Sequence, residues 1–128
     1  MTAYTFVIAA GLLAIAGGVH AQAFPAKPVR MLVGYAPGGG ADILARLLAV
    51  KLADALGQQV AVDNRPGAGG TITASILAKS APDGHTIYFS DAAFVTAPGI
   101  YDQLPYDTIK DFAPVGNAAA LPLAFVVH

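Results

Sequence analysis

Two glycine-rich turns stand at successive strand-to-helix corners, and nothing else in the chain limits its fold so strongly. Val29 to Val33 is a short apolar run that reads as a strand, and Tyr35-Ala36-Pro37-Gly38-Gly39-Gly40 turns the chain after it. From Ala41 to Leu56, the residues Leu44, Leu47, Leu48, Leu52 and Ala55 recur at three- and four-residue spacing. That period predicts a helix with one apolar face. Asp42 and Arg46 form an i,i+4 pair on its other side, and Gly57 is a natural stop. Gln59 to Asp63 reads as a second strand, centred on Val60 and Val62. Asn64-Arg65-Pro66-Gly67-Ala68-Gly69-Gly70 repeats the glycine-rich turn ahead of a second helix, Thr71 to Ser80. A third strand lies within His85 to Ser90, and Ala113 to Asn117 and Leu123 to Val127 read as further short strands. Strands and helices that alternate with short links predict an α/β fold, a parallel sheet with right-handed crossovers. Ligands of such sheets sit outside the carboxyl ends of the strands. Both glycine turns fall there, and so does Ser90-Asp91.

The first N–H groups of a helix have no internal partner and carry the positive end of its dipole. Glycines lacking Cβ let a ligand approach that backbone closely. A carboxylate or phosphate therefore fits each corner without a Lys or Arg side chain. Asp42 admits two roles: a first-turn acid that complements the dipole and pins the loop, or an acceptor for a ligand amine or hydroxyl. Arg65 is expected to brace its loop or meet a surface carboxylate.

Other chemistries fail on detail. The formal net charge is −1, so no basic surplus exists for nucleic acid. A P-loop ends in Gly-Lys-Ser/Thr, whereas Gly40 is followed by Ala41-Asp42. A dinucleotide fingerprint needs a third glycine that is missing here, and Asp42 would repel a pyrophosphate, although Asp63 lies at a suggestive distance. There is no Cys, hence no disulfide or thiol nucleophile. His20, His85 and His128 are scattered without metal-ligand spacing. No G-x-S-x-G elbow occurs. All eight acids are Asp. These gaps favour binding over catalysis, with no cofactor and no metal expected.

The amino-terminal segment has its own signature. No Lys, Arg, Asp or Glu precedes Lys27, and Val7 to Val19 is an apolar stretch of thirteen residues. About 20 are needed to span a bilayer. Ala21-Gln22-Ala23 then offers a small-x-small cleavage pattern. Residues 1–23 are thus expected to be a secretory signal peptide, although Met1 to Phe6 supplies no Lys or Arg. Export to a bacterial periplasm follows, with no membrane-embedded part once the leader is removed.

Several blocks, taken together, carry a specific resemblance. After the leader come Phe24-Pro25-Ala26-Lys27-Pro28-Val29-Arg30, Pro37-Gly38-Gly39-Gly40-Ala41-Asp42, Asn64-Arg65-Pro66-Gly67-Ala68-Gly69-Gly70, Ala81-Pro82-Asp83-Gly84-His85-Thr86 and Leu104-Pro105-Tyr106-Asp107. In this order the chain resembles the Bug-type receptors, periplasmic substrate-binding proteins of tripartite tricarboxylate transporters. The resemblance implies a parallel-sheet lobe of a type II periplasmic binding protein, or flytrap, fold. Residues 24–128 would form the N-terminal part of the first ligand-binding lobe, incomplete because the second lobe and hinge are absent. It implies a small organic carboxylate as ligand (di- and tricarboxylates, acidic amino acids, aromatic acids) and two membrane subunits of a transporter as partners. The ligand-contact positions it implies are Tyr35, Ala36, Gly38, Gly39 and Asp42 at the first corner, Ala68, Gly69 and Gly70 at the second, and Ser90 at the third. Two positions depart from the family pattern: Ala97 stands where an Asn usually precedes the Pro, and His85 where a Tyr is usual.

Members of that family are more than twice as long. The chain is therefore expected to be poorly stable alone and prone to association, with an open apolar sheet edge. Two other readings stay open: a non-functional fragment, and a small α/β hydrolytic enzyme using Asp42 or Asp91 as its acid.

Overall fold

The structure, a computed structural model, describes residues 23–120. The expected leader and the expected strand Leu123 to Val127 lie outside those residues. Three parallel strands form the sheet: β1 (Val29–Val33), β2 (Val60–Asn64) and β3 (Thr86–Phe89), in the order β2-β1-β3. Helix α1 (Gly40–Leu56) links β1 to β2, and α2 (Thr71–Ala78) links β2 to β3. A short helix, α3 (Ala92–Thr96), follows β3. β1 pairs on both sides, with Val33 opposite Asn64 on one and Phe89 on the other. All three strands therefore end at the same margin, as expected of right-handed crossovers on a parallel sheet.

The order reverses at β1, and that places the helices. Val29, Met31 and Val33 point to one face and pack with Ala45 and Ala49 of α1 and with Val60. Leu32 points the other way and is fully buried, as are Thr73 and Ala74 of α2. Met31, Leu32 and Val33 run unbroken because this central strand is covered on both faces, while Arg30 interrupts the apolar run near its start and reaches Asp63 of β2.

The sequence reading needs revision at three places. The line of closest contact on α1 is Ala45 and Ala49, flanked by Leu48, Leu52 and Leu56, whereas Leu47 is 63 % exposed and Ala55 faces solvent. The small alanines let the helix lie close over β1, which turns the leucine stripe aside. Asp42, expected on the outer side, is buried. Ala113 to Asn117 is not a strand: it is irregular, exposed and paired with no strand among the described residues. Its only large apolar side chain, Val115, stands between Pro114 and Gly116 and is 93 % exposed, too little to anchor a strand. Helix α3, capped by Asp91, was not expected at all.

Candidate functional site

The first corner is tied by charge. The Asp42 carboxylate sits in the first turn of α1, where an acid complements the dipole. Its Oδ2 accepts the Gly38 N–H at 2.9 Å and the Arg46 Nε–H at 3.0 Å, and its Oδ1 accepts Asn64 Nδ2 at 2.9 Å. Asn64 Nδ2 also donates to the Tyr35 carbonyl at 3.0 Å, and Arg46 donates to Asn64 Oδ1 at 3.1 Å. The Arg46 guanidinium first, then the Gly38 amide and Asn64, hold the Asp42 carboxyl down at about 2. Of the two roles open to Asp42, the structure therefore gives it loop pinning. Both of its oxygens accept hydrogen bonds from within the fold.

The second corner is held by backbone shape. Gly67, Ala68, Gly69 and Gly70 all have positive φ, 141°, 46°, 61° and 86°. Ala68 is the one non-glycine among them, held at a left-handed angle that costs an L-residue about 1–2 kcal/mol. The Gly70 N–H donates to the Gly67 carbonyl at 2.9 Å, and Thr71 Oγ1 donates to Ala68 O at 2.9 Å. Thr73 Oγ1 donates to the Arg65 carbonyl, clamping the loop to the buried side of α2. Arg65 itself meets Asp63, as does Arg30, so this loop arginine is spoken for. Burial raises the Asp63 carboxyl, but the two guanidiniums outweigh that and hold it below its usual range.

The third corner joins the first. Asp91 Oδ1 accepts the Ala93 N–H at 3.0 Å and caps α3. Its Oδ2 accepts the Tyr35 hydroxyl at 2.6 Å, bridging the end of β3 to the loop after β1. That hydrogen bond, with burial and the Asp91 charge, pushes the Tyr35 phenol up to about 12. Ser90 is exposed beside it.

The corners meet at the margin of the sheet. The Arg65 N–H donates to the Val33 carbonyl at 2.8 Å. A Cβ on Gly34 would stand 2.9 Å from the Gly70 Cα and 2.9 Å from the Tyr88 hydroxyl. The Ala68–Gly70 turn packs against α3, and a Cβ on Gly69 would stand 3.5 Å from the Tyr101 hydroxyl. Burial, then the nearby Tyr35 and Asp91 charges, raise the Tyr88 phenol.

The amide inventory is narrower than the sequence implied. The N–H groups of Gly38 and Gly70 are consumed within the fold, and that of Gly39 reaches the Ala36 carbonyl only at 3.5 Å. Among the described residues, no acceptor meets the N–H groups of Gly40 and Ala41 at the start of α1, or of Ala68 and Gly69. Gly40 belongs to the glycine turn that the sequence reading already took as an amide cradle; Ala41 was not named there, although helix-end geometry points to it. Gly34, Asn64, Tyr88 and Tyr101 were missed as well, because their roles depend on partners far along the chain.

This is a parallel α/β sheet that gathers three loop corners and their amide donors at one margin. Among the described residues, no group of three or more His, Asp or Glu is placed to hold a metal, and no helix is long and apolar enough to cross a membrane. The model of the tripartite tricarboxylate transporter family receptor matches residues 44–128, and the chain belongs to that family. A UPF0065 protein of Bordetella bronchiseptica is 44 % identical over 98 % of this chain and 38 % of its own length. Protein BugT of Bordetella pertussis is 42 % identical over 96 % of this chain and 37 % of its own. The solved periplasmic binding protein BugD superposes with a TM-score of 0.68 at 41 % identity, over 73 % of this chain and 31 % of that one. MatC from Rhodopseudomonas palustris with bound malate superposes at 0.61 and 40 % identity, over 72 % and 32 %. The chain thus spans about a third of the length of these relatives, and its fold is the one they share, as the resemblance implied.

Proposed function

We propose that this chain supplies one ligand-gripping face of a periplasmic solute receptor, and that its ligand is a small organic carboxylate delivered to the two membrane subunits of a tripartite transporter. One observation carries the reading: the unengaged amides of Gly40, Ala41, Ala68 and Gly69 stand at adjoining corners of one sheet margin. Arg30, Arg46 and Arg65 are already paired with Asp63 or Asp42, so helix-end dipole and backbone donors would do the holding. MatC was solved with malate, and a second Rhodopseudomonas palustris relative, 35 % identical with a TM-score of 0.55, with adipate. Residues 1–23 would serve as the export signal, and residues 24–128 as part of the first lobe. Tyr35, Ala36, Gly38, Gly39, Gly70 and Ser90 would shape the rim around the donors.

The hydrolytic alternative that uses Asp42 fares worse. A general acid needs its pKa raised toward the working pH, whereas Asp42 is held at about 2. Amide-resolved NMR titration of the full chain with malate tests the proposal. The Gly40, Ala41, Ala68 and Gly69 resonances should move together and saturate. Saturable shifts elsewhere that leave those four still would overturn it.

A further inference from the structure

One flank of α1 is left open. A shallow groove runs between this helix and β2, lined by Arg46, Ala49, Val50 and Ala53 on the helix and Val60 and Val62 on the strand. β2 ends the sheet in the order β2-β1-β3, so its outer edge meets no strand among the described residues. Such an edge is a template for pairing with another chain, and natural proteins guard it with charge, lysine above all. β2 carries no lysine, and its one charged residue, Asp63, is already paired with Arg30 and Arg65. Beside the groove Ile43, Leu47 and Val50 of α1 are all exposed.

The charges on this flank say what fits it. Arg46, Val50 and Asp54 follow one another at four-residue intervals, so they form one ridge along α1. Arg46 is about half exposed although it also holds Asp42, and Asp54 is exposed with no ion-pair partner among the described residues. The ridge reads positive, apolar, negative. Turned end for end about Val50, it reads negative, apolar, positive. A second α1 laid antiparallel on the first therefore matches it at each turn: Arg46 meets Asp54, Val50 meets Val50, and Leu47 meets the small Ala53. In a two-fold pair each contact occurs twice, so both ion pairs form together.

We propose that this flank is the interface of a two-fold homodimer, with a second copy of the chain as the occupant of the groove. The axis passes beside Val50 and sets the two β2 edges next to each other, running antiparallel. Ala53 lets the two helices approach to the short end of their usual separation of about 8–10 Å. None of the rim amides takes part, so this interface stands or falls apart from the carboxylate reading.

The chain has no Cys, so a single introduced thiol reports the geometry without background. In Val50→Cys the two thiols face each other across the axis, and mild oxidation of the full chain should join them into a covalent dimer. Ile109→Cys, equally open to solvent but outside this flank, should cross-link about tenfold more slowly, lacking the effective concentration of a docked pair. Asp54→Arg turns both ion pairs into like-charge contacts. Sedimentation equilibrium should then show the dimer weakened about tenfold, and the Val50→Cys cross-link should slow when the two changes are combined. Val50 and Asp54 are exposed, so neither change disturbs the core. A full chain that stays monomeric, equal cross-linking rates at positions 50 and 109, or a dimer unmoved by Asp54→Arg overturns the proposal.

Discussion

The corner after β1 and the corner after β2 look alike as sequence, each a run of glycines ahead of a helix, but they are built by different physics. At the first, a buried carboxylate draws in an amide, a guanidinium and an asparagine, and the loop is fixed from the side. At the second, four consecutive positive φ angles and a threonine clamp fix the backbone with no charge involved. The first should therefore respond to pH and to removal of Asp42. The second should respond to added methyl groups and ignore pH.

The largest effect is expected where the two corners touch. Gly34→Ala places a methyl 2.9 Å from the backbone of Gly70, where no side-chain rotation relieves it. Overpacking of this kind costs about 1–3 kcal/mol, so urea denaturation should show a lowered midpoint. A midpoint equal to that of the natural protein would mean that the corners are not in contact.

Next comes the charge pin. The Asp42 carboxyl titrates at about 2 in the fold against 3.8 in the open chain. Between those values the unfolded chain binds the proton and the folded one does not, so falling pH favours unfolding. The stability Asp42 contributes is complete above about pH 4 and is lost as pH falls through 2. Asp83, also held at about 2 by the His85 amide and Lys27, adds a similar loss elsewhere. Asp42→Asn should lower the melting temperature at neutral pH and flatten, without abolishing, the decline in acid. An unchanged acid profile would show that the first corner does not depend on charge.

The smallest effects come from two neighbouring glycines. Neither Gly38 nor Gly40 has any atom within 4 Å of where a Cβ would stand, but Gly38 lies at φ 84° and Gly40 begins the helix. Gly38→Ala should destabilise by about 1 kcal/mol, whereas Gly40→Ala should be neutral or stabilise by about 0.5 kcal/mol. Equal responses, read by thermal melts, would deny that the turn depends on the left-handed angle.

Much of this was legible beforehand. β1, both corners and α1 were placed to within a residue or so, because glycine tolerance, apolar runs and helix stops are local properties. The rotation of α1 was not, since a stripe containing both leucines and alanines leaves open which line faces the sheet; the close approach to β1 selected Ala45 and Ala49. Ala113 to Asn117 misled for the opposite reason: a short apolar run becomes a strand only if a partner strand supplies its hydrogen bonds.

The chain by itself determined that three loops would end at one margin, because parallel connectivity and glycine-rich corners leave that margin little choice. Only the tertiary structure decided which amides there stay unengaged and which acid is spent. Asn64 reaches a carbonyl 29 residues away and Tyr35 a carboxylate 56 residues away. Hydrogen bonds between such distant groups form only once packing has fixed both ends, so no local pattern announces them.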